Sequence, residues 1–264
     1  IRRQRQMCIR DSRFPWVENM KTDARIVVVL PAYNAAKTLE RTYREIPKDI
    51  IAKIILVDDV SEDQTVEVAQ SLGLSVVIHV QNRGYGGNQK TCYMEALKDG
   101  ADVVVMLHPD HQYDSRLVPE LVRPILEGKA DMVMGSRILN GQALQGGMPW
   151  WKYLANRFLT AAENLVYATR LTDCHTGFRA YSRRLLTTVP FLLNSDDFVF
   201  DAQIIAQAVN FGFQIAEIAV QARYFPEASS VNFRVSTIYV VKTLGVMMRF
   251  LTQRLGLARS ALFV

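Results

Sequence analysis

Short runs of β-branched and other apolar residues alternate with helical segments along the first half of the chain. This alternation restricts the fold more than any other feature of the sequence. Each run has the length of one buried strand and ends at turn residues. The five runs are Arg25–Leu30, Lys53–Val57, Ser75–Val80, Asp102–Leu107 and Asp131–Met134. The sequence therefore predicts an α/β fold, with a mostly parallel sheet covered by helices on both faces.

Helix and strand signals continue to the end of the chain, with less regularity. In the first half, we expect Asn34 to cap a helix over Ala35–Glu45, and Ser61 to start the next helix. In the second half, we expect helices over Trp150–Tyr167, Phe198–Phe211 and Val235–Leu251, and strands over Phe178–Ser182 and Gln214–Gln221. No internal repeat or low-complexity linker divides the chain after Arg25.

Composition excludes several other classes of protein. Of the 264 residues, 49% are hydrophobic and 22% are charged, which is typical of a globular domain and not of a disordered or fibrous chain. No uncharged apolar run reaches the roughly 18 residues of a membrane span. The cysteines, Cys8, Cys92 and Cys174, are odd in number and widely spaced. They predict neither a disulfide framework nor a zinc site, and they favour a reducing compartment.

Positive charge is concentrated at the two ends of the chain. The first twelve residues contain four arginines, and we interpret residues 1–24 as a disordered tail or an artefact of sequence assembly. The last 43 residues contain six basic side chains against one acidic side chain, whereas the region between the ends is mildly acidic. This distribution disfavours a nucleic-acid partner. We expect one catalytic domain over residues 25–234, followed by a basic, apolar helical extension over 235–264.

Polar residues follow each predicted strand. Since ligands bind beyond the carboxyl ends of parallel strands, these clusters predict a site at one edge of the sheet. They consist of Pro31, Ala32, Tyr33 and Asn34; Asp58 and Asp59; Asn82, Arg83 and Gly84; His108, Asp110 and Gln112; and Gly135, Ser136 and Arg137.

Each cluster also has a structural interpretation. Asp58 and Asp59 either begin a helix or accept hydrogen bonds from a base or ribose. The Gly-rich segment NRGYGGNQ either forms a tight turn or closes over a ligand, and it lacks the spacing of known phosphate loops. Asp110 and Gln112 either belong to a turn at Pro109 or provide oxygen ligands for one divalent cation, with His108 as a nitrogen donor.

The ordered set of segments resembles the family 2 glycosyltransferases of the GT-A fold, and most closely their dolichol- and polyprenol-phosphate branch. The resemblance covers about 210 residues, from Arg25 to about Arg234. The matching segments are VVLPAYNAAKTL, ILVDDVSEDQT, NRGYGGNQKT, MLHPDHQYD, GSR, DCHTGFRAYS, DDFVFDAQI and IAEIAV.

The resemblance implies a role for each matched position. Donor-nucleotide binding falls to Pro31, Ala32, Tyr33, Asn34, Asp58, Asp59, Asn82, Gly84, Gly87, Lys90 and Arg137. Asp110 and Gln112 match the metal-binding motif for Mg²⁺ or Mn²⁺, and His108 stands where the branch usually has its first acid. Arg179 lies in the acceptor-side motif with Thr176 and Gly177. Asp196, Asp197 and Asp201 lie where many members carry a catalytic base.

The implied reaction is inverting transfer of a hexose from a UDP- or GDP-sugar to a polyprenyl phosphate or a saccharide, in cell-envelope glycan synthesis. A hydroxyl acceptor needs a base such as Asp197, whereas a lipid phosphate is already an anion and makes Arg179 and Arg223 more important. A nucleotidyltransferase and a non-catalytic sugar-nucleotide sensor are the alternatives. PAYNAA lacks the basic loop of the former, and His108 keeps the latter open.

The resemblance and the basic C-terminus also lead to an expectation about location. We expect a cytoplasmic enzyme that lies peripherally on the inner face of an anionic membrane. The apolar helix over Val235–Leu251 either rests on that surface or packs on the catalytic domain.

Overall fold

The computed structural model describes residues 23–141, 143–144, 146–223 and 233–264, with side chains in the last range from residue 236 onward. The interpretation of residues 1–24 as a tail therefore falls almost wholly outside the described residues. The same is true of Cys8 and of the loop that contains Pro226.

The described residues form one seven-stranded sheet with the order β3-β2-β1-β4-β6-β5-β7. The strands are β1 Ile26–Ala32, β2 Lys53–Asp58, β3 Ser75–Ile78, β4 Val103–Met106, β5 Met132–Ser136, β6 Arg179–Ser182 and β7 Ile215–Ala219. Every predicted strand is present. The predicted α/β fold with a mostly parallel sheet is confirmed.

One strand runs against the others. β6 pairs antiparallel with β4 through Val105 and Ala180, and antiparallel with β5 through Val133 and the same Ala180. The remaining pairs are parallel, including β1 with both β2 and β4. This insertion brings the segment before β6, residues 173–178, to the edge of the sheet at which β4 and β5 end.

Eight α-helices connect or cover the described strands. They are α1 Ala36–Glu45, α2 Thr65–Ser71, α3 Gly84–Lys98, α4 Val118–Leu126, α5 Trp150–Tyr167, α6 Arg183–Thr188, α7 Phe200–Asn210 and α8 Phe233–Arg254. Two predicted starts are wrong. Ala35, not Asn34, is the N-cap of α1, and α2 begins at Thr65 instead of Ser61. In both places the polar side chains instead join the loops that follow β1 and β2 to each other.

The strands bury both faces, which gives the fold two apolar cores. In β1, Val27 and Val29 face the core that α3, α7 and α8 cover, whereas Ile26, Val28 and Leu30 face the core that α1 and α4 cover. This alternation follows from the period of two along a strand. Because both faces are covered, the polar groups at the strand ends are the ones left to form a site.

α8 packs on the domain with one face and leaves the other open. Val246, Met247 and Phe250 are buried in the core, whereas Val241 and Met248 are exposed by 64% and 59%. The C-terminal helix therefore packs on the domain with one face and has an exposed apolar face that is available for a membrane surface. No helix in the described part of the chain is long and apolar enough to cross a membrane.

Candidate active site

A cleft of about 740 Å³ opens at the carboxyl ends of β1, β2 and β4. One wall comes from the loops that follow these strands and from the start of α3. The opposite wall comes from α5, α8 and the segment before β6. Of the predicted site residues, the cleft is lined by Pro31, Ala32, Tyr33, Asn34, Asp59, Asn82, Gly84, His108, Asp110, Gln112, Arg137 and Asp201. The predicted residues outside its lining are Asp58, Gly87, Lys90, Arg179, Asp196 and Asp197.

The turn after β1 forms the first part of the loop wall. Asn34 has a left-handed backbone, with φ of 52°, which asparagine tolerates better than most residues. Its side-chain Oδ1 accepts a hydrogen bond from the Glu62 amide at 2.8 Å, and its own amide donates to Ser61 Oγ at 2.9 Å. These bonds join the loops after β1 and β2, and they leave Tyr33 exposed at the cleft.

Asp59 organises the loop before α3. Its carboxylate accepts hydrogen bonds from the backbone amides of Arg83 and Gly84 at 2.8 and 2.9 Å, and it contacts His79 Nδ1 at 2.7 Å. Asn82 Nδ2 donates to the Asp59 carbonyl at 3.0 Å. Asp59 therefore lines the cleft and also positions the Gly-rich segment. His79 was not among the predicted site residues.

Asp58 has a local role that differs from the expected contact with nucleotide. It is buried, and its carboxylate accepts hydrogen bonds from the amide and the hydroxyl of Ser61. These bonds close the turn before α2. The intervening Val60 has a φ of 66°, which is strained for a β-branched residue. The turn thus fixes the direction in which the neighbouring Asp59 points.

The Gly-rich segment packs against backbone. Gly86 donates its amide hydrogen to the Asp196 carbonyl at 2.8 Å, and a Cβ on Gly86 would lie 2.3 Å from the Ser195 carbonyl oxygen. Lys90 Nζ binds the Asn194 carbonyl and the Asp196 carboxylate. Lys90 and Asp196 hold the start of α3 against residues 194–197. Gly87 lies on the same turn of the helix as Gly86, and its amide also donates to the Asp196 carbonyl. Lys90, Asp196 and Gly87 do not line the cleft, which differs from their predicted contacts with substrate.

The segment from His108 to Gln112 lies between the two walls. The Gln112 amide donates to Asp110 Oδ1 at 3.0 Å, and both residues line the cleft. No three His, Cys, Asp or Glu side chains converge as a metal site in the described ranges. Mg²⁺ and Mn²⁺ commonly bind through one or two protein oxygens together with substrate phosphates and water. The oxygen donors of Asp110 and Gln112 fit a cation held in that way.

His108 packs against Tyr85 and Gly177. Its ring stacks near Tyr85 at 5.4 Å between centroids, and Tyr85 Oη lies 3.2 Å from His108 Nε2. Burial lowers the pKa of His108, so the imidazole is neutral at pH 7. Gly177 is packed against it, because a Cβ there would lie 2.7 Å from the ring.

Asp201 is the acid of the predicted catalytic group that reaches the cleft. It accepts a hydrogen bond from Tyr85 Oη at 2.8 Å and one from Gln89 Nε2 at 3.2 Å. Burial raises the pKa of Tyr85, which keeps its hydroxyl protonated as the donor. Tyr85, which was not among the predicted site residues, thus links Asp201 to His108.

Arg179 does not line the cleft. Its side chain is fully buried and donates to the carbonyls of Thr176, Cys174 and Asp201 at 2.7, 3.1 and 3.2 Å. The predicted contact between Arg179 and an acceptor is therefore corrected to a positioning role. A buried guanidinium can satisfy several carbonyls at once, and here it holds the segment before β6 against α7.

Arg137 lines the cleft while paired with a buried acid. Its Nε and one terminal nitrogen bind the Asp173 carboxylate at 2.7 and 2.9 Å, and the same nitrogen donates to the His175 carbonyl. Burial disfavours the charged form of Asp173, yet Arg137 holds the pKa of that carboxyl well below its usual range. Much of the charge of Arg137 is therefore balanced within the protein.

Asp197 lies beside the middle of α8 and outside the cleft lining. Its carboxylate pairs with Lys242 and accepts the Val199 amide hydrogen at 3.0 Å. Although partial burial acts to raise it, these bonds lower the pKa of Asp197. A lower pKa makes the carboxylate a weaker base, so the position and the electrostatics both differ from what a catalytic base requires.

The helical wall contains groups that were not predicted from the sequence. Tyr239 and Val240 of α8 line the cleft together with Trp151 and Asn156 of α5, and His175 Nδ1 lies 2.9 Å from Tyr239 Oη. A helix near the end of a chain carries no local signal for the part of the molecule it will pack against. Only the motif DCHTGFR pointed to His175.

Comparison with known proteins gives the family. The sequence profile described as "Glycosyl transferase family 2" matches residues 27–189. An uncharacterized protein, MJ1222, of Methanocaldococcus jannaschii is 31% identical over 75% of this chain and 82% of its own length. The UDP-N-acetylglucosamine–dolichyl-phosphate N-acetylglucosaminyltransferase of Methanococcus voltae is 26% identical over 76% of this chain and 87% of its own length.

A solved structure shares the fold. Glucosyl-3-phosphoglycerate synthase of Mycobacterium tuberculosis, in complex with Mn²⁺, UDP-glucose and glycerol 3-phosphate, superposes with a TM-score of 0.64 at 21% identity. The match covers 90% of this chain and 82% of that one. The resemblance found in the sequence is thus confirmed, and because the family profile covers more than half of its residues, the chain belongs to glycosyl transferase family 2.

Proposed function

We propose that the protein transfers a hexose, with inversion, from a UDP- or GDP-sugar to a polyprenyl phosphate or a saccharide acceptor. The observation that carries the proposal is the cleft with two unlike walls at the strand ends. One wall has the rigid turns and polar groups suited to a nucleotide. The other is built from two helices and the segment before β6, with apolar and aromatic side chains beside a few polar ones. The dolichyl-phosphate transferase relative supports a lipid-phosphate acceptor.

The loop wall would bind the nucleotide of the donor. Tyr33 offers an exposed aromatic ring, and Asn34, whose Oδ1 accepts the Glu62 amide hydrogen, offers its Nδ2 hydrogens to a base or a ribose. Asn82 lines the same wall and holds the loop to Asp59 and Gly84. The hydrogen bond that the Gly84 amide donates to Asp59 already holds Gly84 at the cleft, so this loop needs no rearrangement when the nucleotide binds. A wall that is already arranged loses little conformational freedom when the ligand binds.

Asp110 and Gln112 would hold a divalent cation, Mg²⁺ or Mn²⁺, against the donor diphosphate. When bound, such a cation neutralises the charge that develops on the diphosphate leaving group. Mn²⁺ in the solved synthase complex supports the cation. His108 lies beside these ligands and contacts Tyr85, and it would face the donor instead of completing the metal site.

The acceptor would enter along the helical wall. If it carries a hydroxyl, Asp201 is the carboxylate placed to take the proton, because it lines the cleft whereas Asp196 and Asp197 do not. If it carries a phosphate, no base is required. The choice between the two acceptor classes then becomes a measurable difference in the effect of removing Asp201.

The same helices offer a surface for a lipid. Trp150, Leu154 and Phe158 are exposed along one face of α5, and Val241 and Met248 are exposed on α8. Trp151 and Val240, which neighbour these residues, line the cleft. We propose that this apolar surface, with the basic residues near the C-terminus, lies on the cytoplasmic face of an anionic membrane.

The test is a panel of UDP- and GDP-sugars with Mg²⁺ or Mn²⁺ and with a short-chain polyprenyl phosphate or a saccharide as acceptor. Asp201→Asn should abolish transfer to a hydroxyl but reduce transfer to a phosphate only modestly. Asp197→Asn removes a matched carboxylate outside the cleft and should leave transfer to both acceptors nearly unchanged. Asp49→Asn, on the exposed surface, is the second control. Binding of a sugar nucleotide without turnover under any condition would favour the sensor. Release of sugar 1-phosphate from the sugar nucleotide, instead of UDP or GDP, would favour the nucleotidyltransferase.

A further inference from the structure

A group of buried polar side chains lies beneath the helical wall, between α5, α8 and the segment before β6. Glu163 is fully buried, and its Oε2 lies 3.3 Å from His175 Nε2. Apart from the Cys174 thiol, which hydrogen-bonds to Glu163, no other group in the described residues pairs with either carboxyl oxygen of Glu163 or with His175 Nε2. Buried polar atoms in folded proteins are almost always paired. These atoms satisfy each other only if one proton lies between Glu163 and His175.

The other ring nitrogen of His175 connects this pair to the cleft. His175 Nδ1 lies 2.9 Å from Tyr239 Oη, and both His175 and Tyr239 line the cleft. Glu163, His175 and Tyr239 therefore form a chain of contacts that begins in the core and ends at the cleft. None of the three takes part in the proposed transfer step.

The surrounding charges decide where the protons sit. Burial raises the pKa of Glu163 to about 8 and lowers the pKa of His175 to about 4, so both groups are neutral at pH 7. The titratable and charged groups that face the pair are Asp173, Cys174, Arg137, Arg179, Asp201, Tyr167 and Tyr239. The positive charges of Arg137 and Arg179 disfavour protonation of His175 to the cation. The negative charge of Asp173 disfavours ionisation of Glu163.

We propose that Glu163, as a protonated acid, fixes the tautomer of His175 and thereby makes Tyr239 a hydrogen-bond donor toward a phosphate oxygen of the substrate. The Glu163 proton is donated to His175 Nε2. The remaining ring proton is then on Nδ1 and is donated to Tyr239 Oη. The hydroxyl proton of Tyr239 is left for another acceptor. The neighbouring Thr243 hydroxyl and a ligand in the cleft are the two candidates, and we assign the proton to the ligand. Glu163 and His175 are positioning residues, and no bond is made or broken.

Ionisation of Glu163 reverses this direction. A carboxylate requires a hydrogen-bond donor, so the ring proton of His175 moves to Nε2. Nδ1 then accepts a hydrogen bond from the Tyr239 hydroxyl. Tyr239 then presents only its oxygen to the cleft, where it repels a phosphate instead of binding it. Affinity for the phosphate group should therefore fall as the pH rises through the range in which Glu163 ionises.

The first experiment reads the tautomer without substrate. The ¹⁵N chemical shifts of the imidazole distinguish a proton on Nδ1 from a proton on Nε2, and the chain has only four histidines to assign. We expect His175 to carry its proton on Nδ1 at pH 7 and to change above about pH 8. Glu163→Gln should abolish that change, and Glu67→Gln on the exposed surface of α2 should not. A proton on Nε2 at pH 7 would overturn the proposal.

The second experiment rests on the proposed function and separates the two sources of a phosphate oxygen. Tyr239→Phe should raise KM at pH 7 by about tenfold with kcat nearly unchanged, since it removes one hydrogen bond to a charged group. A rise in KM for the lipid phosphate alone would assign Tyr239 to the acceptor, and a rise for the nucleotide sugar alone would assign it to the donor. Tyr43→Phe, on α1, is the control.

The pH profile connects the two experiments. KM of the wild type should rise above about pH 8, whereas KM of Glu163→Gln should stay level. If Tyr239→Phe lowers stability but leaves both KM values unchanged, the hydroxyl proton is donated to Thr243 inside the protein, and the proposal is wrong. If no sugar nucleotide is a substrate, the proposed function fails, and the tautomer measurement still stands as an independent result.

Discussion

Replacing Gly86 with alanine tests whether the Gly-rich segment exists for close packing of backbone. Gly86 is buried in the first turn of α3. A Cβ at this position would lie 2.3 Å from the Ser195 carbonyl oxygen, 2.9 Å from the Asp197 carbonyl oxygen and 2.9 Å from Phe200 Cβ. These are backbone atoms or the first atom of a side chain, so no change of rotamer relieves the contacts. The start of α3 must move away from residues 195–200.

The expected cost follows from this geometry. Overpacking of a buried site destabilises a protein by about 1–3 kcal/mol. In a domain of this size, each kcal/mol lowers Tm by about 2–4 °C. We therefore expect Gly86→Ala to lower Tm by roughly 2–12 °C. Because Gly84 and Tyr85 line the cleft, the same displacement should raise the KM for the donor by about tenfold or more.

The matched control is the same substitution at Gly245 in α8, where an added Cβ would have no other atom within 4 Å. Alanine is favoured over glycine inside a helix by about 0.5–1 kcal/mol, so Gly245→Ala should raise Tm slightly. Thermal unfolding followed by circular dichroism measures both variants. If Gly86→Ala is as stable as the wild type, the reasoning from backbone contact is refuted.

Three further predictions concern the charged residues of the site and of the C-terminus. Asp173→Asn breaks a buried ion pair and should lower the free energy of unfolding, measured in urea at pH 7, by about 3–5 kcal/mol. Because folding depresses the pKa of Asp173, the wild type should lose this stabilisation as the pH falls below about 5. The variant should lose less stability over the same pH range. His108→Asp should retain transferase activity and bind Mg²⁺ more tightly, as judged by the Mg²⁺ dependence of turnover, since it supplies a second carboxylate beside that of Asp110. Loss of activity with Mn²⁺ present would give the imidazole a role of its own. The protein should float with phosphatidylglycerol vesicles at low salt and less at high salt, and replacing Arg249 and Arg254 by glutamine should weaken flotation; equal flotation of the variant would exclude these arginines.

The sequence predicts the sheet well because its signals there are local. A run such as that of β1, with apolar residues on both faces, is compatible with few other environments than a covered parallel sheet. The direction of β6 leaves no such trace, since the four residues from Arg179 to Ser182 could pair in either direction. The antiparallel pairing depends on β4 and β5, which are far away in the chain.

The same distinction separates the site residues. Asp110 and Asn34 lie at the cleft because each closely follows a strand, and strand ends are predictable. Lys90 and Arg179 have side chains that are typical of substrate binding, yet both are buried and satisfied within the protein. Residue type indicates which chemistry a side chain can perform, whereas its partners in the fold decide whether it is free to perform it. Tyr239 shows the converse, because only the packing of α8 brings it to the cleft.

The charges of the cleft lead to a last prediction about the cation. Among the described residues, its lining includes three aspartates, Asp59, Asp110 and Asp201, against two cations, Arg137 and Lys152. Arg137 is already paired with Asp173, and Asp201 with Arg179, and both partners are outside this set. Asp59 and Asp110 then remain against Lys152 alone. A nucleotide diphosphate would therefore enter a cleft whose own charge repels it, and a divalent cation would reverse the sign of the interaction at Asp110.

This balance predicts opposite effects of one substitution in two conditions. In EDTA, Asp110→Asn should bind UDP or GDP more tightly than the wild type, because one repulsive charge is gone. With Mg²⁺ or Mn²⁺, the variant should bind the nucleotide more weakly, because it has lost the carboxylate that holds the cation. Calorimetric titration of UDP or GDP under both conditions measures this reversal in the relative affinities of the variant and the wild type. Asp49→Asn should bind the nucleotide as the wild type does in each condition. A variant that binds more weakly in EDTA as well would show that Asp110 contacts the nucleotide directly, and the cation would then have to be placed elsewhere.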